Sequence, residues 1–143
     1  MGRGRSKNSA TFANSIVKQT VFHGTDAGNI TEFKTSGRES NGAIFFSDSE
    51  DYAEEEAYVK DERTGNGRFM YEVNLNIQNP LRVVLSESEF ADNAVEKKYI
   101  EKAKREGHDS VIFTSDTDNE YLKDTFYAVF DSKQIKIRNK RRL

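Results

Sequence analysis

A chain of 143 residues is long enough for one domain with one hydrophobic core and too short for two ordinary ones. It has no cysteine and only two histidines, His23 and His108, which excludes disulfides, thiolate nucleophiles and cysteine-held metals and leaves too few ligands for a histidine-rich zinc site. The net charge of -2 hides an uneven layout: a basic head (Arg3, Arg5, Lys7), an acidic block from Asp48 to Glu56, and basic residues from Lys133 to Arg142.

No apolar run approaches the roughly 20 residues of a membrane helix, and the N-terminus has no signal-like apolar stretch, so a cytoplasmic protein with no membrane partner is expected. Residues 1–15, rich in Gly, Arg, Ser and Asn, read as a flexible basic lead-in. Strand signals follow at Ile16-Val17 and Val21-Phe22, the latter running into His23-Gly24-Thr25. Asp26 can cap a short helix or turn reaching Ile30. Thr35-Ser36-Gly37 and Asn41-Gly42 carry turn chemistry, so the next stretch is mostly loop. Ala43-Ile44-Phe45-Phe46 is a second apolar run, closed by Ser47-Asp48-Ser49.

Ser47 or Ser49 can cap a helix from about Glu50 to Lys60, and Gly65-Asn66-Gly67 ends that region. From Phe69 to Ile77, Phe69, Tyr71, Val73, Leu75 and Ile77 alternate with more polar residues, the period of a half-buried strand. Asn79-Pro80 breaks it; Leu81 to Leu85 is a short apolar run, and Ser86 or Ser88 opens a polar helical turn. A clearer helix runs from Asn93 to Glu106, with Val95, Tyr99, Ile100 and Ala103 at helical spacing and Gly107 as its stop. Strands at Ser110–Phe113, Tyr127–Phe130 and Ile135–Ile137 close the inventory, with an acidic loop over 116–124. Many short strands and two or three helices without a regular alternation give an α+β fold, a sheet-on-sheet core with flanking helices. The domain is placed at 16–137, with 138–143 as a basic tail.

Taken singly, these features are weak. A histidine after two apolar residues is commonly a satisfied strand-end side chain, and most glycines sit in turns. Their order carries more. His23-Gly24-Thr25, then Gly42-Ala43-Ile44-Phe45-Phe46-Ser47-Asp48 followed by a helix, then Tyr127-Ala128-Val129-Phe130-Asp131 with Gln134-Ile135 after it, resembles the diphtheria-toxin and poly(ADP-ribose)-polymerase branch of the ADP-ribosyltransferases. The small versions in bacteriophage and polyvalent proteins look most similar, and the resemblance spans about Val21 to Ile137.

The resemblance implies a split β-sandwich that uses NAD as a substrate and needs no metal, because the leaving group is already a cationic pyridinium. It gives His23 the adenosine ribose hydroxyls, for which a neutral imidazole supplies one donor and one acceptor, and gives the Gly24 backbone the nicotinamide amide. Thr25 adds a hydroxyl to the ribose or caps a turn. Phe45 stacks on nicotinamide where the branch has a tyrosine, and Ser47 lines the same pocket. Where relatives carry an aromatic on the next helix this chain has Glu56, leaving Tyr52 or Tyr58 as the second face of the clamp. Where polymerase relatives carry the catalytic glutamate this chain has Phe126, so chain elongation is not expected and the acid is sought among Asp124, Glu120 and Glu56. Asp131 and Gln134 read as structural, and His108 as a helix-end residue.

The leading reading is a toxin-like, phage-related mono-ADP-ribosyltransferase modifying a protein or nucleic-acid acceptor in a host cytoplasm, reached directly or by delivery with a virion. The alternative is a degenerate fold that binds a nucleotide or partner without chemistry. A third is an adaptor whose basic head and tail contact nucleic acid.

Overall fold

The computed structural model describes residues 12–35, 42–90, 92–119 and 123–143. Its elements are β1 (Val21–Thr25), β2 (Ile44–Ser47), α1 (Glu50–Thr64), β3 (Phe69–Leu75), β4 (Pro80–Leu85), α2 (Asn93–Arg105), β5 (Ser110–Ser115), β6 (Phe126–Val129) and β7 (Ile135–Arg142). The strands are hydrogen-bonded in the order β4-β5-β6-β2-β1-β3-β7. All pairings are antiparallel except β4 with β5, whose connection through α2 is long enough for a parallel crossover.

One joint in this sheet is thin. β1 pairs with β3 from Val21↔Val73 to Thr25↔Phe69, and β2 pairs with β6 from Ile44↔Val129 to Ser47↔Phe126. Between β1 and β2 the only register pair is Phe22↔Ser47, so the two strands part beyond it. The halves on either side share one core: Val21, Tyr71, Val73 and Leu75 from one, Ile44, Phe46, Ile112, Tyr127 and Val129 from the other. This is the split β-sandwich of an α+β fold. A second core lies on the outer face of the β4-β5-β6 half, where Val83, Leu85, Val111 and Phe113 meet Ile100 and Ala103 of α2.

Capping sets where the helices begin and end. Ser49 is the N-cap of α1, its hydroxyl accepting from the Tyr52 N–H, while the Ser47 hydroxyl accepts from the Ser49 N–H. The helix continues one turn past Lys60, because the stop is Gly65 with φ 72°, its N–H donating to the Asp61 carbonyl. Asp92 caps α2, and at its far end the His108 N–H reaches the Ala103 carbonyl past Gly107. Ser86 forms a capping box with Glu89 around a single 3-10 turn.

Several boundaries differ from the sequence pattern. Ile16-Val17 is not a strand; Ser15 is buried there, its hydroxyl donating to the Leu75 carbonyl and accepting from Ile77 N–H, which ties the end of the expected lead-in to β3. Asp26–Ile30 forms no helix, since the Asp26 carboxylate accepts from the Thr64 and Asn66 side chains instead. Pro80 opens β4 at the sheet edge rather than only marking a turn. The basic residues from 138 on continue β7 along β3 to Phe69↔Arg142.

Candidate functional site

Where β1 and β2 part, a cleft of about 650 Å³ opens, within the range of small-molecule sites. His23 bridges the gap with its side chain. Its Nδ1 lies 2.8 Å from the Phe45 carbonyl oxygen, so the bond that backbone pairing would have made is made by imidazole. A carbonyl can only accept, which puts the proton on Nδ1 and leaves Nε2 with a lone pair. The ring packs against Phe33 and Phe46, with centroids at 5.0 and 5.4 Å. Its pKa is lowered to about 4, chiefly by burial and next by the Lys60 charge, with the Phe45 carbonyl opposing them. His23 is neutral at physiological pH and offers the cleft an acceptor only.

Gly24 is required by the approach of α1. A Cβ there would stand 1.7 Å from the Ala53 carbonyl oxygen, and Ala53 and Ala57 are the buried residues of the helix. The contact lays α1 along the cleft, and it brings Lys60 to 3.0 Å from the Gly24 carbonyl. Tyr71 fixes the facing loop: its hydroxyl donates to the Ala27 carbonyl and accepts from Ile30 N–H.

The opposite wall is aromatic and acidic. Phe45 stacks on Phe113 at 6.1 Å with rings 17° apart, on the other face of β2 from Phe46 and the imidazole, so the cleft passes through the split. Tyr52 meets the Phe126 ring edge-on at 4.7 Å, and Phe90 packs on Phe126 at 5.2 Å. The Tyr52 hydroxyl donates to Glu56 Oε1 over 3.2 Å. Burial and Glu56 raise the Tyr52 pKa. Glu96 of α2 lines the same cleft, its pKa raised to about 7 by burial, then Asp92 and Glu56.

Residues 18–141 match the family model for "ADP-Ribosyltransferase in polyvalent proteins". The chain belongs to this ADP-ribosyltransferase family. A solved structure similar to it is a chain of the M. tuberculosis MbcT–MbcA toxin–antitoxin complex, with a TM-score of 0.55 and 12% identity over 87% of this chain and 84% of that one, a likeness of fold. No curated protein matches.

Within this ADP-ribosyltransferase domain the residues singled out by sequence do not all converge. His23, Gly24, Phe45, Ser47, Tyr52, Glu56 and Phe126 line the one cleft. Thr25 does not; its hydroxyl accepts from the Ala27 N–H, which is the turn-capping alternative. Tyr58 is 42% exposed on the far side of α1, bonded to Glu62 with the Arg68 guanidinium 4.4 Å above its ring. Asp124 is half-buried outside the cleft lining, its pKa raised by burial, Asp48 and Asp51. Glu120 lies outside the described residues.

His108 bonds the Asn79 carbonyl, and Gln134 ties the turn after β6 to Asn76 and Asp109. The basic head is also outside the described residues. In β7, Arg138 donates to Asn74, Lys140 to the Gly28 carbonyl and Arg141 to Glu50, while Arg142 covers Phe69, so these cations already have partners within the domain.

Sequence pattern did not single out Lys60 or Glu96. Lys60 follows Glu56 by one helical turn, a spacing that could have flagged it; Glu96 reaches the cleft only through the packing of α2. No helix of the described residues is long and apolar enough to cross a membrane, and no trio of metal-ligating side chains converges among them.

Proposed function

We propose that this domain binds NAD in the cleft, breaks the bond between nicotinamide and ribose, and transfers ADP-ribose to a protein or nucleic-acid acceptor. The observation that carries the reading is His23 set across the split with its proton committed to the Phe45 carbonyl, in a chain that belongs to an ADP-ribosyltransferase family. The lone pair on Nε2 accepts a hydrogen bond from one ribose hydroxyl. It cannot donate to the second, so the pair of bonds expected of a free imidazole reduces to one.

The Gly24 carbonyl, held by Lys60, keeps a second lone pair for a carboxamide N–H. Phe45, Tyr52 and Phe126 supply ring faces and edges for the planar nicotinamide. The M. tuberculosis structure is a toxin–antitoxin complex; a protein partner that holds this domain in check, and a toxin-like role in a cell's cytoplasm, are proposed on that likeness of fold.

Incubation with labelled NAD and cell lysate tests the reading. Label on a macromolecule together with free nicotinamide supports it, and His23→Ala removes the thermal stabilisation given by NAD. A second reading, a binding module without chemistry, is favoured by Phe126, which cannot accept a hydrogen bond from ribose. It predicts NAD-dependent stabilisation with no nicotinamide release.

A further inference from the structure

Two positions in the cleft depart from the pattern the motifs resemble, and the structure joins them. Glu56 stands where an aromatic is expected and Phe126 where a carboxylate is expected. Both touch Tyr52: the ring of Phe126 is 4.7 Å from its ring, and Oε1 of Glu56 is 3.2 Å from its hydroxyl.

We propose that acid and aromatic have exchanged walls, with Glu56 of α1 facing the ribosyl cation from the side opposite β6 and Glu96 of α2 as its proton-accepting partner. This rests on the reading of the cleft as an NAD site. Three observations carry it. Glu56 and Glu96 are the carboxylates that reach the cleft from the two helices packed on either half of the sheet, whereas Asp124 does not line it. The Tyr52 hydroxyl holds one oxygen of Glu56, which fixes the carboxylate while leaving its remaining lone pairs to a ligand. Phe126, covered by Tyr52 and Phe90, fills the β6 position with an apolar edge, so β6 offers no counter-charge to a cation formed in the cleft; Glu56 and Glu96 offer it from the helices, while Glu32 of the loop after β1 is bonded by the Ser132 hydroxyl.

The step balances without a further reactant. The bond from ribose C1′ to the pyridinium nitrogen breaks, its electron pair leaving on neutral nicotinamide. A lone pair of an acceptor hydroxyl forms the new C1′–O bond, and the hydroxyl proton passes to the ionised fraction of Glu96. The Glu56 carboxylate takes no part in the proton transfer and offsets the positive charge on the ribose. The charges that act on Glu96 are Asp92 at the cap of its own helix and Glu56 on α1; Tyr52 feels Glu96 and Asp124, and Lys60, Glu32 and Lys34 line the same cleft.

Nicotinamide release by the full chain, measured beside NAD-dependent thermal stabilisation, tests the exchange. Glu56→Gln is expected to slow release by about 100-fold or more while stabilisation by NAD persists. Adding Phe126→Glu to that variant is expected to restore a measurable part of the rate by returning a carboxylate to β6. Release by the unaltered chain is expected to rise with pH through neutrality as Glu96 ionises, and Glu96→Gln is expected to lose that rise. Release by Glu56→Gln within about twofold of the unaltered chain overturns the proposal.

If the unaltered chain is stabilised by NAD yet releases no nicotinamide, the transferase reading fails and the binding-module reading stands; if it is not stabilised at all, the reading of the cleft as an NAD site fails; in either case the proposal falls with it. Either pattern is distinct from one in which only the variant behaves unexpectedly. Should Glu56→Gln fold poorly, Glu56→Asp with its shorter reach is expected to show the same loss of rate. NMR titration of Glu96 gives a reading without turnover: its midpoint falls when Glu56 is neutralised, and an unmoved midpoint places the two carboxylates too far apart to share a site.

Discussion

His23 on the β1 wall of the cleft is a base whose proton affinity is lowered, while Glu96 on the α2 wall is an acid whose proton affinity is raised. Burial is the first cause of both, and in each case a neighbour of like charge adds to it: Lys60 for the imidazole, Asp92 and Glu56 for the carboxyl. The walls differ in how that cost is compensated. His23 has a backbone carbonyl at 2.8 Å that fixes its tautomer, and it sits among aromatic rings. Glu96 has only like charges acting on it, Asp92 and Glu56. One wall is a fixed acceptor, and the other carries a carboxyl, Glu96, able to hold or release a proton near neutrality. Groups shifted in opposite directions across one cleft are the arrangement from which acid and base roles are read in active sites.

The largest expected effect comes from removing the geometry that both walls depend on. Gly24→Ala drives a methyl to 1.7 Å from the Ala53 carbonyl, and a main-chain atom cannot step aside as a flexible side chain can. Helix α1 must shift off β1, taking Lys60, Tyr52 and Glu56 with it. A loss of about 3 kcal/mol or more in denaturant unfolding is expected, together with loss of NAD-dependent stabilisation. If the variant keeps wild-type stability, α1 does not set the cleft.

The two walls respond to pH with opposite sign. For His23 the folded pKa, about 4, lies below the unfolded value of 6.5, so between them the unfolded chain binds more protons and stability falls as pH drops through that window. Its slope is at most about 1.4 kcal/mol per pH unit, and His23→Asn removes it. For Glu96 the folded pKa, about 7, lies above the unfolded value of 4.5, so the folded chain binds more protons and stability falls as pH rises from 4.5 through 7. Glu96→Gln is therefore expected to be more stable than the unaltered chain above pH 7, by on the order of 1–2 kcal/mol given its partial exposure, and equal to it below pH 4.5. Denaturation midpoints of the three chains from pH 4 to 8 separate the contributions, and a common sign for both variants contradicts the comparison.

This asymmetry explains what the sequence could and could not reveal. The β1 wall is local: Val21 to Thr25 and Ala43 to Ser47 are short segments whose residue types announce strands. A histidine followed by a glycine at the end of one of them drew the eye to residues that line the cleft. The period-two run through β3 was readable for the same reason, and Tyr71, Val73 and Leu75 all lie in the shared core. The far wall is assembled from Tyr52 and Glu56 on α1, Phe90 and Glu96 around α2, Phe113 on β5 and Phe126 on β6, residues far apart in the chain. No local pattern places Glu96 in one cleft with Glu56, because the two share it only once α2 has packed on the outer core. The extent of β7 was hidden too. Its sequence from Arg138 to Arg142 is four cations and an asparagine, and it is held as an edge strand by pairing with β3 and by partners for its cations.

The smallest expected effects separate the two tyrosines that sequence left as alternatives, and they probe the acidic wall alone. Tyr52 and Tyr58 lie on the same helix and each donates to a glutamate one turn ahead, Glu56 and Glu62. Only the first pair faces the cleft. Tyr52→Phe removes the hydroxyl that fixes Glu56 but keeps the ring against Phe126, so nicotinamide release is expected to fall by about 2- to 10-fold, the worth of one net hydrogen bond, with stabilisation by NAD retained. Tyr58→Phe loses a bond at a surface where water replaces it, and stability is expected to change by less than about 0.5 kcal/mol with no change in release. Equal losses in the two variants would mean that the exposed face of α1 takes part in the reaction, and the division of the helix into a cleft side and a solvent side would have to be redrawn.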